Sequence, residues 1–129
     1  MIAEGTLDLI RLAINNGARE IHAEMVRMGW YKDPQTRRSI QRNKMEMLML
    51  IVTEVAEAAE GLRKNLPDDK LPHRPMVEVE LADTIIRILD LAAYMDLDVG
   101  GALVEKCRYN ATREDHKLSN RALPGGKSC

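Results

Sequence analysis

The sequence predicts an all-α protein of four-helix-bundle type, and three observations predict it. The 129 residues include no Phe, one Trp and three Tyr, whereas β-sheet cores draw on aromatic and β-branched side chains. The apolar residues present in number, Met, Leu, Ile, Val and Ala, recur three and four apart over long stretches, which is the helical period. Gly- and Pro-containing breaks at Gly29–Pro34 and Leu66–Pro72 divide those stretches into helix-sized pieces.

The first helix is expected over about Thr6–Met28, with a possible break at Asn15-Asn16-Gly17. Leu9, Ile10, Ala13, Ile14, Ile21, Met25 and Met28 are its apolar positions. Gly29 suits its C-terminal stop, because a residue there commonly takes the left-handed conformation that glycine adopts without strain. The second and longest helix is expected from Ser39, an N-cap type, to about Asn65. Its seam is Leu48, Ile51, Val52, Val55, Ala59 and Leu62. The third begins near Pro75, a residue favoured in first turns, and reaches about Met95. The fourth follows Asp98 and runs to about Leu118. Residues 1–118 therefore read as one domain, and 119–129 as a flexible tail without periodicity.

Helix three carries two apolar stripes, Leu81, Ile85, Ile88 and Ala92 on one and Val79, Ile86 and Ala93 on the other. A monomeric bundle needs one stripe per helix. Two stripes predict a homo-oligomer, a dimer or a dimer of dimers; the alternative is a central helix sheltered within one chain.

Composition excludes several classes. A net charge of −1 and a pI near 6.3 lack the basic excess of a dedicated nucleic-acid binder, so no stable nucleic-acid complex is expected. Met45–Ala59, the longest candidate membrane span, is broken by Glu46, Glu54 and Glu57. The N-terminus has no basic stretch leading into an apolar run. A soluble, cytoplasmic protein is expected. Cys107 and Cys129 have no ligand partners at zinc-site spacing and read as inert thiols. His22, His73 and His116 are scattered, and the P-loop and nucleophile-elbow motifs are absent.

The chemistry-bearing residues are acidic. Glu54 and Glu57 lie three apart on helix two, Glu80 and Asp83 three apart on helix three, and such pairs project from neighbouring points of a helix surface. Either pair alone is ordinarily a solvated surface pair. Packed antiparallel across the short loop, the two pairs would face each other, and four carboxylates that close repel unless a cation lies between them. Mg²⁺ suits the donors, because it takes oxygen ligands and leaves positions for phosphates; Mn²⁺ is an expected substitute. On helix three Glu80, Asp83 and Arg87 form one stripe, with Tyr94 further along it. Lys106, Tyr109, Asn110 and Arg113 share a helix-four stripe that begins apolar at Val99, Ala102 and Leu103. Lys106 and Arg113 are candidates for phosphate oxygens, and Tyr109 and Asn110 for the sugar or base. Ion pairing of the cations with Glu105 or Glu114, and packing of Tyr109, is the competing reading. Trp30, in the loop after helix one, is a candidate for stacking on a base, with packing against helix ends as the alternative.

The run Thr53-Glu54-Val55-Ala56-Glu57, followed after twenty-two residues by Glu80-Leu81-Ala82-Asp83, resembles the signature of the all-α NTP pyrophosphohydrolases, the MazG-like superfamily. The resemblance extends back to Gly29-Trp30 and Met47–Ile51, and forward through Asp83–Leu91 and Glu105–Arg113, covering most of residues 20 to 117. It implies Glu54, Glu57, Glu80 and Asp83 as magnesium ligands, with Glu54 or Glu57 orienting the attacking water. It also implies nucleoside triphosphates as substrates, cleaved to the monophosphate and pyrophosphate. Thr53 stands where many members have a Glu, a difference expected to affect how many metals are held, or how tightly, more than activity itself. A same-fold hydrolase of another pyrophosphate compound, such as a phosphoribosyl nucleotide, and a non-catalytic helical interaction module are the alternatives.

Overall fold

The computed structural model describes residues 1–128 and, among them, is all-helical. Four long helices, α1 (Glu4–Arg27), α2 (Lys44–Lys64), α3 (Met76–Tyr94) and α4 (Val99–Thr112), are followed by a 3₁₀ turn at Glu114–His116 and a short α5 at Leu118–Arg121. The all-α expectation holds. Cys129 lies outside the described residues, and Cys107 is half-buried. None of the described helices is long and apolar enough to cross a membrane. The chain divides into two compact units, Asn16–Leu97 and Met1–Asn15 with Asp98–Cys129.

Within Asn16–Leu97, three helices end in the same way. After α1, Trp30 N–H donates to Met25 O and Gly29 N–H to Val26 O, with Gly29 at φ 91°. Asn65 (φ 52°) ends α2 and Asp96 (φ 53°) ends α3 with the same pair of bonds. In this motif a single left-handed residue satisfies carbonyls the helix would leave open. Gly29 is thus the stop the sequence anticipated; Asn and Asp serve elsewhere because their side chains tolerate that region.

The start of α2 differs from expectation. Ser39 does not cap it; Asn43 does, its side chain accepting from Met45 N–H and Glu46 N–H at 2.9 and 3.2 Å. Ser39 pairs with Lys32 instead, and Ile40 N–H donates to Tyr31 O. The Tyr94 hydroxyl accepts from Arg42 N–H at 3.0 Å. These bonds hold 39–42 extended, so the helix cannot begin earlier.

α2 and α3 form an antiparallel hairpin: Gly61 lies against Met76 near the loop, Glu54 meets Arg87 midway, and Met47 joins Leu91 at the far end. The hairpin closes on Met47, Glu54, Ala58 and Gly61 from α2 and on Glu80, Thr84 and Leu91 from α3. Most of the apolar seam expected on α2 faces outward instead, Ile51 being its one member packed against the Tyr31, Met47 and Leu91 cluster. Leu48, Val52, Val55 and Leu62 on α2, and Leu81, Ile85 and Ile88 on α3, are each between 38% and 69% exposed. Full burial of such a side chain is worth about 1.5–3 kcal/mol, so leaving these half-covered forgoes roughly 5–10 kcal/mol, comparable with the whole net stability of a domain.

A buried polar cluster fixes the far end of this unit. Asp90, in the apolar run Ile88-Leu89-Asp90-Leu91, accepts from the Tyr31 hydroxyl at 2.9 and 3.0 Å and lies 2.7 Å from His22 Nδ1. Burial, then the bond to Asp90, pushes the Tyr31 hydroxyl above its ordinary pKa, so it stays a donor.

In the other unit, Asn15 is the organising residue. It donates to Asp98 Oδ1 at 2.6 Å and accepts from Gly100 N–H at 2.9 Å, while Asp98 caps α4 through Gly101 N–H. The possible break at Asn15-Asn16-Gly17 does not occur: α1 is continuous there, and the Asn15 amide is spent on α4, not on its own backbone. α4 stops at Thr112, short of the expected Leu118. Arg113 turns extended (ψ 125°) and Asp115 takes its guanidinium at 2.8 and 2.5 Å. Arg121 donates to Lys127 O and Ser128 O, and Lys127 pairs with Asp115, so the segment after the 3₁₀ turn folds back on it.

Candidate metal centre

Glu54 reaches the hairpin interior because it stands seven residues after Met47 and four before Ala58, on the stripe of α2 that meets α3. Glu80 enters from the opposite helix one turn before Thr84, whose hydroxyl donates to Glu80 O at 2.8 Å. The helices approach closely here for a local reason: a Cβ on Gly61 would sit 2.8 Å from Met76 Cβ, so only glycine lets the two backbones meet beside the loop.

One carboxylate oxygen from each of Glu54, Glu57 and Glu80 lies within 4.8 Å of the other two. Glu54 and Glu80 are buried and Glu57 is exposed, so the cluster has two inner acids and one open to solvent. Among the described residues the only guanidinium bound to it is that of Arg87, which donates to Glu54 Oε1 at 2.5 Å through Nε. One cation against three carboxylates leaves repulsion uncancelled. Burial, then a hydrogen bond to Glu54 in which Glu80 must hold the proton, then the charges of Glu57, Glu54 and Asp83 push Glu80 up to about 7. Asp83 is also raised, by burial and the charge of Glu54, against an opposing pull from Arg87.

The structure therefore brings together three of the four anticipated acids. Asp83 stands close enough to feel Glu54 but outside the group of three. Two participants had no motif to announce them. Arg87 was visible only as a member of the Glu80–Asp83 stripe, with no sign that it would bond across to Glu54. Asp68, in the loop, is buried (3% exposed), accepts from Lys70 N–H and Leu71 N–H at 2.9 and 2.6 Å, and adds to the raising of Asp83. Its signal was a charged residue in a short proline-flanked turn, which ordinarily means solvent.

The helix-four candidates form a cluster of their own in the other unit. Lys106 Nζ stands 4.8 Å from the Tyr109 ring centroid and Arg113 Cζ 5.6 Å from it. Arg113 lies beyond the helix end and so off the helical stripe, yet its stacking on Tyr109 restores the proximity. Neither Glu105 nor Glu114 takes it; Asp115 does. Asn110 Oδ1 is buried without a hydrogen-bond partner among the described residues. Trp30 is 60% exposed while its neighbour Tyr31 is buried, so the indole is not packed away.

Chemically, three oxygen donors converging from two helices, short of counter-charge and open on one side, match a hard divalent cation that keeps some positions for water or phosphate. No family model matches the chain, and neither a curated protein nor a solved structure matches it. The resemblance in its motifs thus rests on those residues and their spacing.

Proposed function

We propose that the chain is a magnesium-dependent nucleotide pyrophosphohydrolase of the MazG-like all-α kind, converting (d)NTPs to (d)NMPs and pyrophosphate. The observation that carries this reading is the convergence of Glu54, Glu57 and Glu80 with insufficient positive charge, at the positions where the motif resemblance expects ligands. Glu54, Glu57 and Glu80 would hold the ion, with Asp83 at its margin. When bound, a divalent cation there supplies charge neutralisation for the phosphates and a lowered pKa for water. Arg87 keeps Glu54 in one rotamer, and Asp68 braces the loop between the two ligand-bearing helices. Glu57, on the solvent side, orients a water and takes its proton as the water oxygen bonds to phosphorus; the bridging P–O bond breaks and pyrophosphate leaves.

The test is a nucleotide panel incubated with Mg²⁺, with products separated. Monophosphate plus pyrophosphate is the expected outcome. Orthophosphate plus a diphosphate rejects the cleavage position. Turnover confined to a phosphoribosyl nucleotide moves the substrate while keeping the site, and no magnesium-dependent pyrophosphate from any compound leaves a helical interaction module.

A further inference from the structure

The segment between α1 and α2 concentrates positive charge that nothing in the chain answers. Residues 30–44 hold five cations, Lys32, Arg37, Arg38, Arg42 and Lys44, against the single acid Asp33. Among the described residues, ten of the nineteen Lys and Arg pair with a carboxylate, and none of these five does. Asp33 serves its own turn instead, its Oδ1 accepting from Gln35 N–H at 3.0 Å and Thr36 N–H at 2.6 Å. Arg42 is half-buried over the Tyr31 ring, while Lys32, Arg37, Arg38 and Lys44 are exposed. The whole-chain charge of −1, on which no stable nucleic-acid complex is expected, averages this segment against an acidic remainder.

The segment is also fixed. Asp33 N–H donates to Arg38 O at 2.8 Å, Ile40 N–H donates to Tyr31 O at 3.0 Å, and Lys32 pairs with Ser39. At its turn Arg37 takes φ 59°, a left-handed conformation that Gly or Asn adopts with less strain. A guanidinium stands there in place of the residue the backbone favours, and strain of that kind gathers at functional positions. Trp30, two residues before Lys32, is 60% exposed.

We infer that this loop is a binding surface for single-stranded nucleic acid, its four exposed cations taking backbone phosphates and the Trp30 indole stacking on an unpaired base. Unanswered cations beside a bare aromatic face are the combination that holds single strands without reading their sequence. The planar fork of Arg matches phosphate oxygens. A bilayer suits the loop less, because its tip, Asp33-Pro34-Gln35-Thr36, offers no apolar face to bury. An acidic peptide would answer the charges and leave the indole bare.

The experiment is fluorescence anisotropy of an end-labelled oligothymidylate of about 12 nucleotides, within the usual span of a single-strand site, titrated with the full chain in EDTA. Binding is read there without turnover, so this inference and the hydrolase reading stand or fall separately. Wild type should bind with a Kd below about 100 μM at about 50 mM salt. Affinity should fall about fifty-fold by about 200 mM, since four phosphate contacts on a single strand give a log–log slope of about −2.8. Arg37→Asn, Arg38→Gln and Lys44→Gln should each make the slope shallower by about 0.7. Arg63→Gln, which removes a cation already paired with Glu60, should leave it unchanged. Trp30→Ala should weaken binding at least about fivefold at constant slope, the scale of losing one stacked base. If one of the charge variants loses helicity, Lys32→Gln takes its place with the same expectation. A Kd weaker than about 100 μM, a slope indifferent to the loop variants, or an affinity indifferent to Trp30→Ala overturns the inference. Equal or tighter binding of a duplex of the same length, of polyglutamate, of phosphatidylserine vesicles or of dTTP overturns it too, since each would assign the loop to a different partner.

Discussion

Acidic residues in this chain occupy two kinds of surroundings. At the surface a set of acids is matched by cations: Glu24 with Arg27, Glu60 with Arg63 and Lys64, Glu4 with Arg108, Asp115 with Arg113 and Lys127. Their pKa values all fall, because a hydrogen-bonded cation favours the charged form. Inside the α2–α3 hairpin the direction reverses. Glu80 and Asp83 rise, since burial and neighbouring carboxylates outweigh the one guanidinium of Arg87. Matched pairs of the first kind solvate a surface and contribute little. An unmatched cluster costs stability, and such a cost concentrates where charge is to be supplied from outside.

The sharpest way to break that contrast is to remove the unmatched acids. Glu54→Gln, Glu57→Gln, Glu80→Gln and Asp83→Asn should each lower the rate of pyrophosphate release by about tenfold to a thousandfold, the scale of losing one electrostatic element of a site. The three converging residues should show the larger losses, with helical content unchanged. Glu60→Gln, a matched acid, should leave the rate alone. Wild-type rates in all four site variants would place the cluster outside any chemistry.

The second expectation concerns pH. Glu80 has a folded pKa near 7 against 4.5 unfolded, so the native state binds the proton more tightly. Its contribution is fully present below about pH 4.5 and is lost as pH rises through about 7. Metal-free protein should therefore lose thermal stability over that window relative to Glu80→Gln, which has no proton to release. Added Mg²⁺ should raise Tm most at the alkaline end, where the acids are ionised. Parallel melting profiles for the two proteins would show that Glu80 does not titrate in this window.

The smallest expected effects test whether the cationic α4 cluster and the indole act on the same substrate. Lys106→Ala and Arg113→Ala should raise KM, lower kcat or both, without a large loss of stability. If both keep kcat/KM within about twofold of wild type, a difference well under 1 kcal/mol, the cluster is packing around Tyr109 and nothing more. Trp30→Ala should mainly weaken nucleotide binding, and Trp30 fluorescence should change on titrating a non-hydrolysable analogue. Fluorescence that stays flat at saturating nucleotide would remove Trp30 from the site.

Much of this molecule is decided locally. The absence of Phe and the long three-and-four periodicity settle an all-helical chain, because helix formation depends on short-range spacing and propensity. Gly29 stops α1 for the same kind of reason, its missing Cβ. The phase of Glu54, Glu57, Glu80 and Asp83 follows from i, i+3 geometry alone, which put all four in the running before any packing was known. What tertiary structure decided is which stripe of each helix turns inward. The hairpin closed on Met47, Glu54, Ala58 and Gly61, and most of the more apolar Leu48–Leu62 seam, Ile51 excepted, was left outside. Close backbone approach at Gly61 rewards small residues over greasy ones. The start of α2 after its cap Asn43 was set in part by Tyr94, whose hydroxyl accepts from Arg42 N–H from far away in sequence. Arg87 bonding to Glu54, and Asp90 buried between His22 and Tyr31, are likewise contacts across dozens of residues. No local pattern encodes them, because their energy comes from desolvated charge finding a partner on another element.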